Sequence, residues 1–342
     1  MANLLRVLVT GATGFLGSRI TRRLVEEGYA VRAFARTRSD VRLLKNLGVD
    51  IAFGDLGNAA TVDASIRGMD IVVHAGAGTR GSTKDCDTAT LLGTKNVLDG
   101  CRQQGVKKLV YISSCNVYEV AGYAENQVVN EEAQLERFPM RRGHYTQAKL
   151  QAEALVTEAM SRGSCAMVVL RPGTLFGPGA KIFTRMMGVS LADRLFVVFG
   201  DGKNQLPLVH VDNAVDAIVE CARNGAADDK VFNVVDPGPV TKKLYMDRIV
   251  KALYPKALVI YCPIRLISAV TLAQEKILLA LRRRPFLTVY GLASSQKNVK
   301  YDTWRLEHVT GWRPRISFEQ GAQQLLELEG ARGRLRSGIA AP

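Results

Sequence analysis

The sequence predicts an α/β fold: a doubly wound parallel sheet followed by a smaller, mostly C-terminal domain. Short apolar runs that suit buried strands alternate with helical patterns through the first half of the chain. This alternation is the order of a parallel sheet with helices on both faces. A glycine-rich turn joins the first run to the first helical pattern. After about Pro172, Gly and Pro interrupt the alternation, which indicates a second domain.

The strand and helix signals can be placed one by one. Continuous apolar runs predict strands that are covered on both faces, because such strands need no polar alternation. The predicted strands span residues 4–9, 30–35, 49–53, 70–74, 108–113 and 166–170. The predicted helices span residues 15–27, 40–47, 59–66, 88–104 and 145–161. In the later half, a helix over 211–223 and a strand over 230–235 still have the character of sheet elements.

Composition limits the classes of protein to be considered. The 342 residues are 47% hydrophobic and 23% charged, which excludes wholesale disorder and small disulfide scaffolds. The net charge of +14 favours an anionic partner: a phosphorylated cofactor, an acidic membrane surface or nucleic acid. Six scattered cysteines form no CxxC pair and have no His at metal-ligand spacing. We therefore expect a cytoplasmic protein with free thiols, no signal peptide and no metal site.

The glycine-rich turn has the spacing of a nucleotide-binding site. Gly11, Gly14 and Gly17 lie between the first predicted strand and the first predicted helix. In Rossmann folds such glycines permit a tight turn, close approach of a pyrophosphate and close packing of the helix. The free N–H groups and the positive end of the helix dipole favour phosphates. We therefore predict that Gly11, Gly14, Phe15, Leu16 and Gly17 bind an NAD(P) dinucleotide.

The glycine-rich turn and the change of pattern after about Pro172 divide the chain into a nucleotide-binding and a substrate-binding domain. We predict an NAD(P)-binding Rossmann domain over 1–175, to which 211–236 returns. The substrate-binding domain then comprises 176–210 and 237–330. The small, basic segment 331–342 is expected to be a frayed tail.

The end of the second predicted strand bears on the choice of dinucleotide. NAD-selective sites usually carry Asp or Glu there to bind the ribose 2′-hydroxyl. Here no carboxylate follows, and Arg36 and Arg38 come next. A guanidinium can bind a 2′-phosphate through paired hydrogen bonds. NADP(H) is therefore predicted to be preferred, with NAD(H) as the alternative.

A Tyr, a Lys and a Ser indicate a catalytic site. Tyr145 and Lys149 are four residues apart in a predicted helix, so their side chains share one face. A cationic Lys149 would lower the Tyr145 pKa from about 10 and so favour proton transfer with a hydroxyl. Ser114 follows a predicted strand, at the edge where ligands bind, and could hold the substrate oxygen.

Nine motifs place these residues in a known family. They are TGATGFLG (10–17), GDL (54–56), HAGAG (74–78), GTKNVLDGC (93–101), LVYISSCNVY (109–118), YTQAK (145–149), LRPGTLFGPG (170–179), VHVDNAVDAI (209–218) and GWRPRISFEQG (311–321). With them the chain resembles, nearly end to end, the extended short-chain dehydrogenases/reductases. This superfamily contains NAD(P)-dependent epimerases, dehydratases and hydroxysteroid dehydrogenases.

The resemblance adds roles to individual residues. It implies that Ser114, Tyr145 and Lys149 are catalytic and that Tyr145 and Lys149 also touch the cofactor. The further cofactor contacts it implies are Asp55, Leu56, Ala75, Gly76, Ala77, Pro172 and Thr174. A homodimer through the helices near 88–104 and 145–161 is implied in the same way. Two positions depart from the family pattern: Thr90 stands where Asn is frequent, and Glu119 where Gly is frequent.

The branch of the superfamily decides the substrate class. Nucleotide-sugar enzymes usually have an Arg where this chain has Leu206 and Pro207. The late part resembles 3β-hydroxysteroid and sterol dehydrogenases, and VRAFAR (31–36) resembles dihydroflavonol reductases. We therefore expect an oxidoreductase that interconverts a secondary alcohol and a ketone on a bulky apolar, steroid-, sterol- or flavonoid-like substrate. The alternatives are a nucleotide-sugar epimerase or dehydratase and a non-catalytic NADP-sensing protein; no nucleic-acid partner is expected.

Residues 263–284 have two interpretations. Leu266, Val270, Ala273, Ile277 and Leu281 recur at helical spacing, and arginines occupy 282–284. A lid or dimer helix over the substrate pocket is the simpler interpretation. The alternative is a helix that makes peripheral contact with a membrane surface.

Overall fold

The fold is taken from a computed structural model, which describes residues 4–78, 88–283 and 285–337. The strands are β1 Arg6–Thr10, β2 Ala30–Ala35, β3 Asp50–Phe53, β4 Ile71–His74, β5 Lys108–Ile112, β6 Gln127–Val129, β7 Ala166–Pro172, β8 Thr174–Phe176, β9 Gly188–Leu191, β10 Leu195–Phe199, β11 Leu208–His210, β12 Lys230–Val234, β13 Leu258–Cys262 and β14 Val299–Tyr301.

The helices complete the chain. They are α1 Phe15–Glu26, α2 Arg42–Asn46, α3 Ala59–Ile66, α4 Gly93–Gln104, α5 Pro139–Arg142, α6 His144–Ser161, α7 Val211–Arg223, α8 Lys242–Tyr245, α9 Lys251–Leu253, α10 Ile264–Ala280, α11 Val289–Gln296, α12 Trp304–Thr310 and α13 Phe318–Ser337. Turns of π-helix precede α4 at Thr88–Leu92 and α9 at Met246–Val250. Within the described residues, no helix is both long enough and apolar enough to cross a bilayer.

Seven strands of the described chain form one sheet in the order β12-β7-β5-β4-β1-β2-β3, and all neighbours are parallel. The predicted doubly wound α/β fold is confirmed. Strand order reverses between β1 and β4, because β2 lies on one side of β1 and β4 on the other. Ligands of such sheets bind in the crevice beyond the carboxyl ends of these strands. The glycine-rich turn after β1 and the segment after β4 both lie at that edge.

Both faces of the sheet are covered, which explains the continuous apolar runs. Along β1, Val7 and Val9 pack into one core and Leu8 into the other, since successive strand side chains point to opposite faces. The first core takes residues from α1 and α7, and the second takes residues from α3, α4 and α6. The helices cover both faces of the sheet and leave its carboxyl edge open to the crevice.

A third core lies beside the sheet and includes Phe176, Phe196 and Leu325. It packs beneath a smaller sheet of order β13-β10-β9. Helix α13 leads away from this core to Ser337. The expected fraying of the tail over 331–342 stays a prediction, and 338–342 lie outside the described residues.

Candidate active site

A cavity of about 840 Å³ opens at the carboxyl edge of the large sheet. The sequence-predicted residues that line it are Gly11, Gly14, Phe15, Leu16, Gly17, Arg36, Asp55, Leu56, Ala75, Gly76, Ala77, Ser114, Tyr145, Lys149, Pro172 and Thr174. Segments separated by more than a hundred residues therefore meet at one site. Arg38 is the predicted site residue that does not line the cavity.

In the glycine-rich turn, Gly11, Gly14 and Gly17 leave the backbone uncovered, and we call these three residues the glycine cradle. Gly11 has φ +68°, and a Cβ there would lie 2.8 Å from the backbone nitrogen of Gly76. A Cβ on Gly17 would lie 2.7 Å from the carbonyl carbon of Gly11. Helix α1 starts after Gly14 with no side-chain cap and no acidic residue in its first turn. Its first N–H groups thus remain for an anion, which fits the phosphates of a dinucleotide.

We expect Gly17→Ala to weaken both the fold and dinucleotide binding. The added methyl group would meet the backbone of Gly11, which cannot move without disturbing the cradle. Overpacking of this kind costs about 1–3 kcal/mol. Thermal unfolding and NADPH fluorescence titration measure the two effects.

Gly330→Ala is the matched control. Gly330 lies in α13, and nothing lies within 4 Å of a Cβ built there. The control should keep wild-type NADPH affinity, with stability unchanged or slightly raised. Wild-type affinity in Gly17→Ala would contradict the proposed role of the cradle.

The two arginines that follow β2 differ in their position relative to the cavity. Arg36 is exposed and lines the cavity, whereas Arg38 is exposed outside its lining. Of these two arginines the structure brings Arg36 to the cavity, because the chain turns after β2; the contact of either with the cofactor stays a prediction. Asp55 lines the same end of the cavity, and its Oδ1 accepts a hydrogen bond of 2.8 Å from the Gly57 N–H.

The predicted catalytic residues converge. Ser114 follows β5, and its Oγ accepts a 3.2 Å hydrogen bond from the Asn116 N–H. Tyr145 and Lys149 lie one turn apart in α6, and the Tyr145 side chain lies close enough to Ser114 for Ser114 to affect its pKa. Lys149 Nζ donates a 2.6 Å hydrogen bond to the carbonyl of Ile112 at the end of β5. This bond ties α6 to the strand that carries Ser114.

Burial sets the protonation of this site. Burial raises the pKa of the Tyr145 hydroxyl, and the nearby Ser114 side chain opposes the rise. We predicted that Lys149 lowers the Tyr145 pKa. The structure gives the opposite direction, because the effect of burial is larger than the opposing effect of the Ser114 side chain. Burial also lowers the pKa of Lys149 to about 8, against the opposing charge of Glu153. Tyr145 is therefore a protonated phenol at neutral pH.

A buried ionic network lies beneath the catalytic residues, and sequence reasoning missed it. Glu153 accepts hydrogen bonds from Arg171 Nε at 3.0 Å and from the Ser113 hydroxyl. Arg171 also donates to the Tyr118 hydroxyl at 2.7 Å. Glu153 and Arg171 are 1% and 3% exposed. Glu153 continues the face of Tyr145 and Lys149 along α6, which is the signal that could have revealed it.

A second buried chain of hydrogen bonds fixes the segment after β4. The Thr10 hydroxyl lies 2.6 Å from His74 Nδ1, and His74 Nε2 lies 3.1 Å from the Thr94 hydroxyl. Burial, followed by the charge of Lys149, lowers the His74 pKa to about 3, so the ring is neutral. Thr90, one of the two departures from the family pattern, accepts a 2.9 Å hydrogen bond from the Gly78 N–H. Thr90 therefore shapes the cavity wall through the backbone.

Many other residues of the cavity lining went unpredicted. Their apolar side chains include Val120, Leu175, Met186, Pro207, Val299 and Tyr301. Their polar side chains include Asn116, Arg142, Gln205, Ser294, Ser295 and Lys297. Arg142 Nη1 donates to the carbonyls of Asn116 and Tyr118 at 3.0 and 2.7 Å, which holds it in place. Asn116 and Leu175 lie within quoted motifs, whereas Ser294, Ser295 and Lys297 come from α11 and the segment after it, where no local spacing indicated a site.

The fold and the site define an NAD(P)-dependent oxidoreductase. The model of the NAD dependent epimerase/dehydratase family matches residues 7–234, and the chain belongs to this family, within the extended short-chain dehydrogenases/reductases. A 2-alkyl-3-oxoalkanoate reductase of Stenotrophomonas maltophilia is 32% identical over 335 residues, covering 94% of this chain and 98% of the relative. A sterol-4-alpha-carboxylate 3-dehydrogenase of Dictyostelium discoideum is 25% identical over 329 residues, covering 93% and 99%.

Solved structures share the whole fold. A UDP-glucose 4-epimerase of Thermotoga maritima, solved with UDP-glucose, has a TM-score of 0.74 at 19% identity. The match covers 96% of this chain and 99% of that one. A UDP-glucuronic acid 4-epimerase of Bacillus cereus, solved with NAD, has a TM-score of 0.73 at 18% identity and the same coverage.

Proposed function

We propose that the protein is an NADP(H)-preferring reductase that interconverts a ketone and a secondary alcohol on a bulky apolar molecule. The observation that carries this proposal is the convergence of Ser114, Tyr145 and Lys149 on a cavity that also holds the glycine cradle. A bound nicotinamide would supply the hydride. The glycine cradle, Arg36 and Asp55 would hold the part of the dinucleotide that lies away from the nicotinamide.

Tyr145 would supply the proton. Its raised pKa keeps the phenol protonated at neutral pH, which is the form that donates to a ketone oxygen. Ser114 would hold the same oxygen through its hydroxyl. Lys149 would bind the ribose and offset the negative charge left on Tyr145, since its ammonium is largely protonated below pH 8.

The cavity lining supports an apolar substrate over a nucleotide sugar. Leu175, Met186, Pro207 and Val299 add apolar surface to it. Pro207 stands where the family resemblance places the diphosphate-binding Arg of nucleotide-sugar enzymes, and it offers no donor to a phosphate. The names of the relatives favour the same class: one is a 2-alkyl-3-oxoalkanoate reductase, and another is a sterol-4-alpha-carboxylate 3-dehydrogenase.

An activity screen tests the proposed function. Purified protein with NADPH is supplied in turn with 2-alkyl-3-oxoalkanoic acids, steroid ketones, flavonoid ketones and UDP-sugars, and absorbance of NADPH is followed. Net NADPH oxidation with an apolar ketone is expected. Conversion of a UDP-sugar without net NADPH oxidation would replace the reductase by an epimerase.

Arg36→Ala should weaken NADPH binding by about 10- to 100-fold and leave NADH binding unchanged. A charge-assisted hydrogen bond is worth about 1.5–3 kcal/mol, and NADH lacks the 2′-phosphate that would receive it. Fluorescence titration with both dinucleotides measures the change. Arg38→Ala is the matched control, since Arg38 is exposed outside the cavity lining. Equal losses for NADPH and NADH would refute the assigned role of Arg36.

A further inference from the structure

We propose that the protein docks on an anionic membrane surface through an apolar platform. This platform consists of the outward face of α10 and the outer face of the small sheet β13-β10-β9. The docking surface lies outside the catalytic cavity, so the proposal stands or falls independently of the proposed function.

Several polar side chains of helix α10 face the protein. Thr271 is 3% exposed, and Gln274 hydrogen-bonds the backbone of the following loop at Leu287 and Phe286. The apolar residues on one outward stripe of the helix are largely exposed: Leu266, Val270 and Ile277 at 56%, 59% and 59%. A helix on a water-facing surface has the reverse arrangement. The outward face of α10 is therefore suited to an apolar medium.

The small sheet repeats this arrangement. Its inward residues, such as Phe196 and Val198, belong to the third core. Its outward residues form two rows across the strands, Leu191-Leu195-Leu258 and Val189-Val197-Ile260. The edge residues of these rows are 43–67% exposed. Strand β13 leads through Pro263 directly into α10, so the two apolar faces are continuous along the chain.

The basic residues around α10 favour an anionic lipid surface as the partner of the platform. Arg265, Lys276, Arg282 and Arg283 are exposed on or just after α10. The acidic residue of the helix, Glu275, faces inward and accepts a 2.9 Å hydrogen bond from the Val289 N–H. A second copy of the chain on the platform would bring two basic clusters together. Anionic headgroups instead complement the basic side chains while the apolar residues enter the interface.

Docking would also bring lipid close to the cavity. Helix α10 packs on α11, and Ser294 and Ser295 of α11 line the cavity wall. An apolar molecule dissolved in the bilayer would then reach the cavity without crossing bulk water.

Vesicle sedimentation tests the proposal. The probes are vesicles of phosphatidylcholine mixed with phosphatidylglycerol, and vesicles of phosphatidylcholine alone. The wild type should sediment with the mixed vesicles and weakly with the neutral ones. Val270→Glu with Ile277→Glu should lower partition by about tenfold or more, since charges replace buried apolar contacts. Arg265→Glu with Lys276→Glu should abolish the preference for anionic lipid.

Val128→Glu is the matched control, because Val128 is 60% exposed on β6, outside the platform. It should bind vesicles like the wild type, and all variants should keep NADPH affinity because the substituted side chains lie on the surface. Absence of wild-type binding to mixed vesicles, or undiminished binding by Val270→Glu with Ile277→Glu, would overturn the proposal. So would a wild-type dimer in sedimentation velocity that this double variant dissociates, since that result assigns the platform to a second copy.

Discussion

Tyr145→Phe is expected to lower kcat by about 10²- to 10⁴-fold, the range for loss of a positioned acid or base. The substitution removes the hydroxyl that lies close to Ser114 and keeps the ring. Because only the proton donor is lost, NADPH affinity should stay within about twofold of the wild type. That is a smaller change than the loss of one hydrogen bond to NADPH would cause. Steady-state kinetics and NADPH titration on the same preparation measure the two quantities.

Tyr29→Phe is the control, because Tyr29 packs against the first core and is not part of the cavity lining. It should leave kcat unchanged. If Tyr145→Phe kept wild-type kcat, another group would have to supply the proton and the assigned chemistry would be wrong. A parallel loss of NADPH affinity would instead indicate that the ring position had changed.

Glu153→Gln should lower the free energy of unfolding by about 3–5 kcal/mol, the usual cost of leaving one partner of a buried ion pair uncompensated. Arg171 is 3% exposed and donates from both Nε and Nη2 to Glu153 Oε1, at 3.0 and 2.5 Å. The glutamine amide keeps the shape but removes the countercharge. Urea denaturation at neutral pH measures the change, with the slope checked for an altered denatured state.

Glu158→Gln on the same helix is the control. Glu158 pairs with Arg162 at the surface, where both side chains are more than half exposed. Such pairs contribute about 0–1 kcal/mol, so the control should unfold like the wild type. Equal effects of the two substitutions would show that the buried network contributes no more than a surface pair.

Glu153→Gln should also alter the pH dependence of activity. The negative charge of Glu153 raises the pKa of Lys149 against the larger effect of burial. Without that charge the Lys149 pKa falls below about 8, so the cation is lost at lower pH. Any activity that depends on protonated Lys149 should then decline at lower pH than in the wild type. Glu153 acts here as a positioning residue, since it touches Ser113 and Arg171 and lies outside the cavity lining.

Local patterns predicted the sheet and many of the residues that line the candidate site. The glycine spacing around Gly11 and the four-residue spacing of Tyr145 and Lys149 are short-range signals, so they can be read from the chain directly. The apolar runs were informative because both faces of the sheet are buried, as Val7, Leu8 and Val9 show.

What the sequence could not predict depends on tertiary contacts. The direction of the Tyr145 pKa shift follows from burial, which no local pattern records. Arg36 and Arg38 differ only in how the chain turns after β2. Lys297 reaches the cavity from a segment far along the chain. The helical spacing of apolar residues in α10 could be read from the sequence. Which face of α10 lies toward solvent could not, because it depends on the hydrogen bonds of Gln274 and Glu275 with the next loop.

The central claim is net hydride transfer from NADPH to an apolar ketone, and isotope transfer tests it most directly. Protein is incubated with NADPH carrying deuterium at nicotinamide C4 and with each apolar ketone of the screen, and the product is analysed by mass spectrometry. The account predicts NADPH oxidation in proportion to product, with deuterium on the new carbinol carbon. Product without deuterium, or no NADPH oxidation with any ketone, would contradict it.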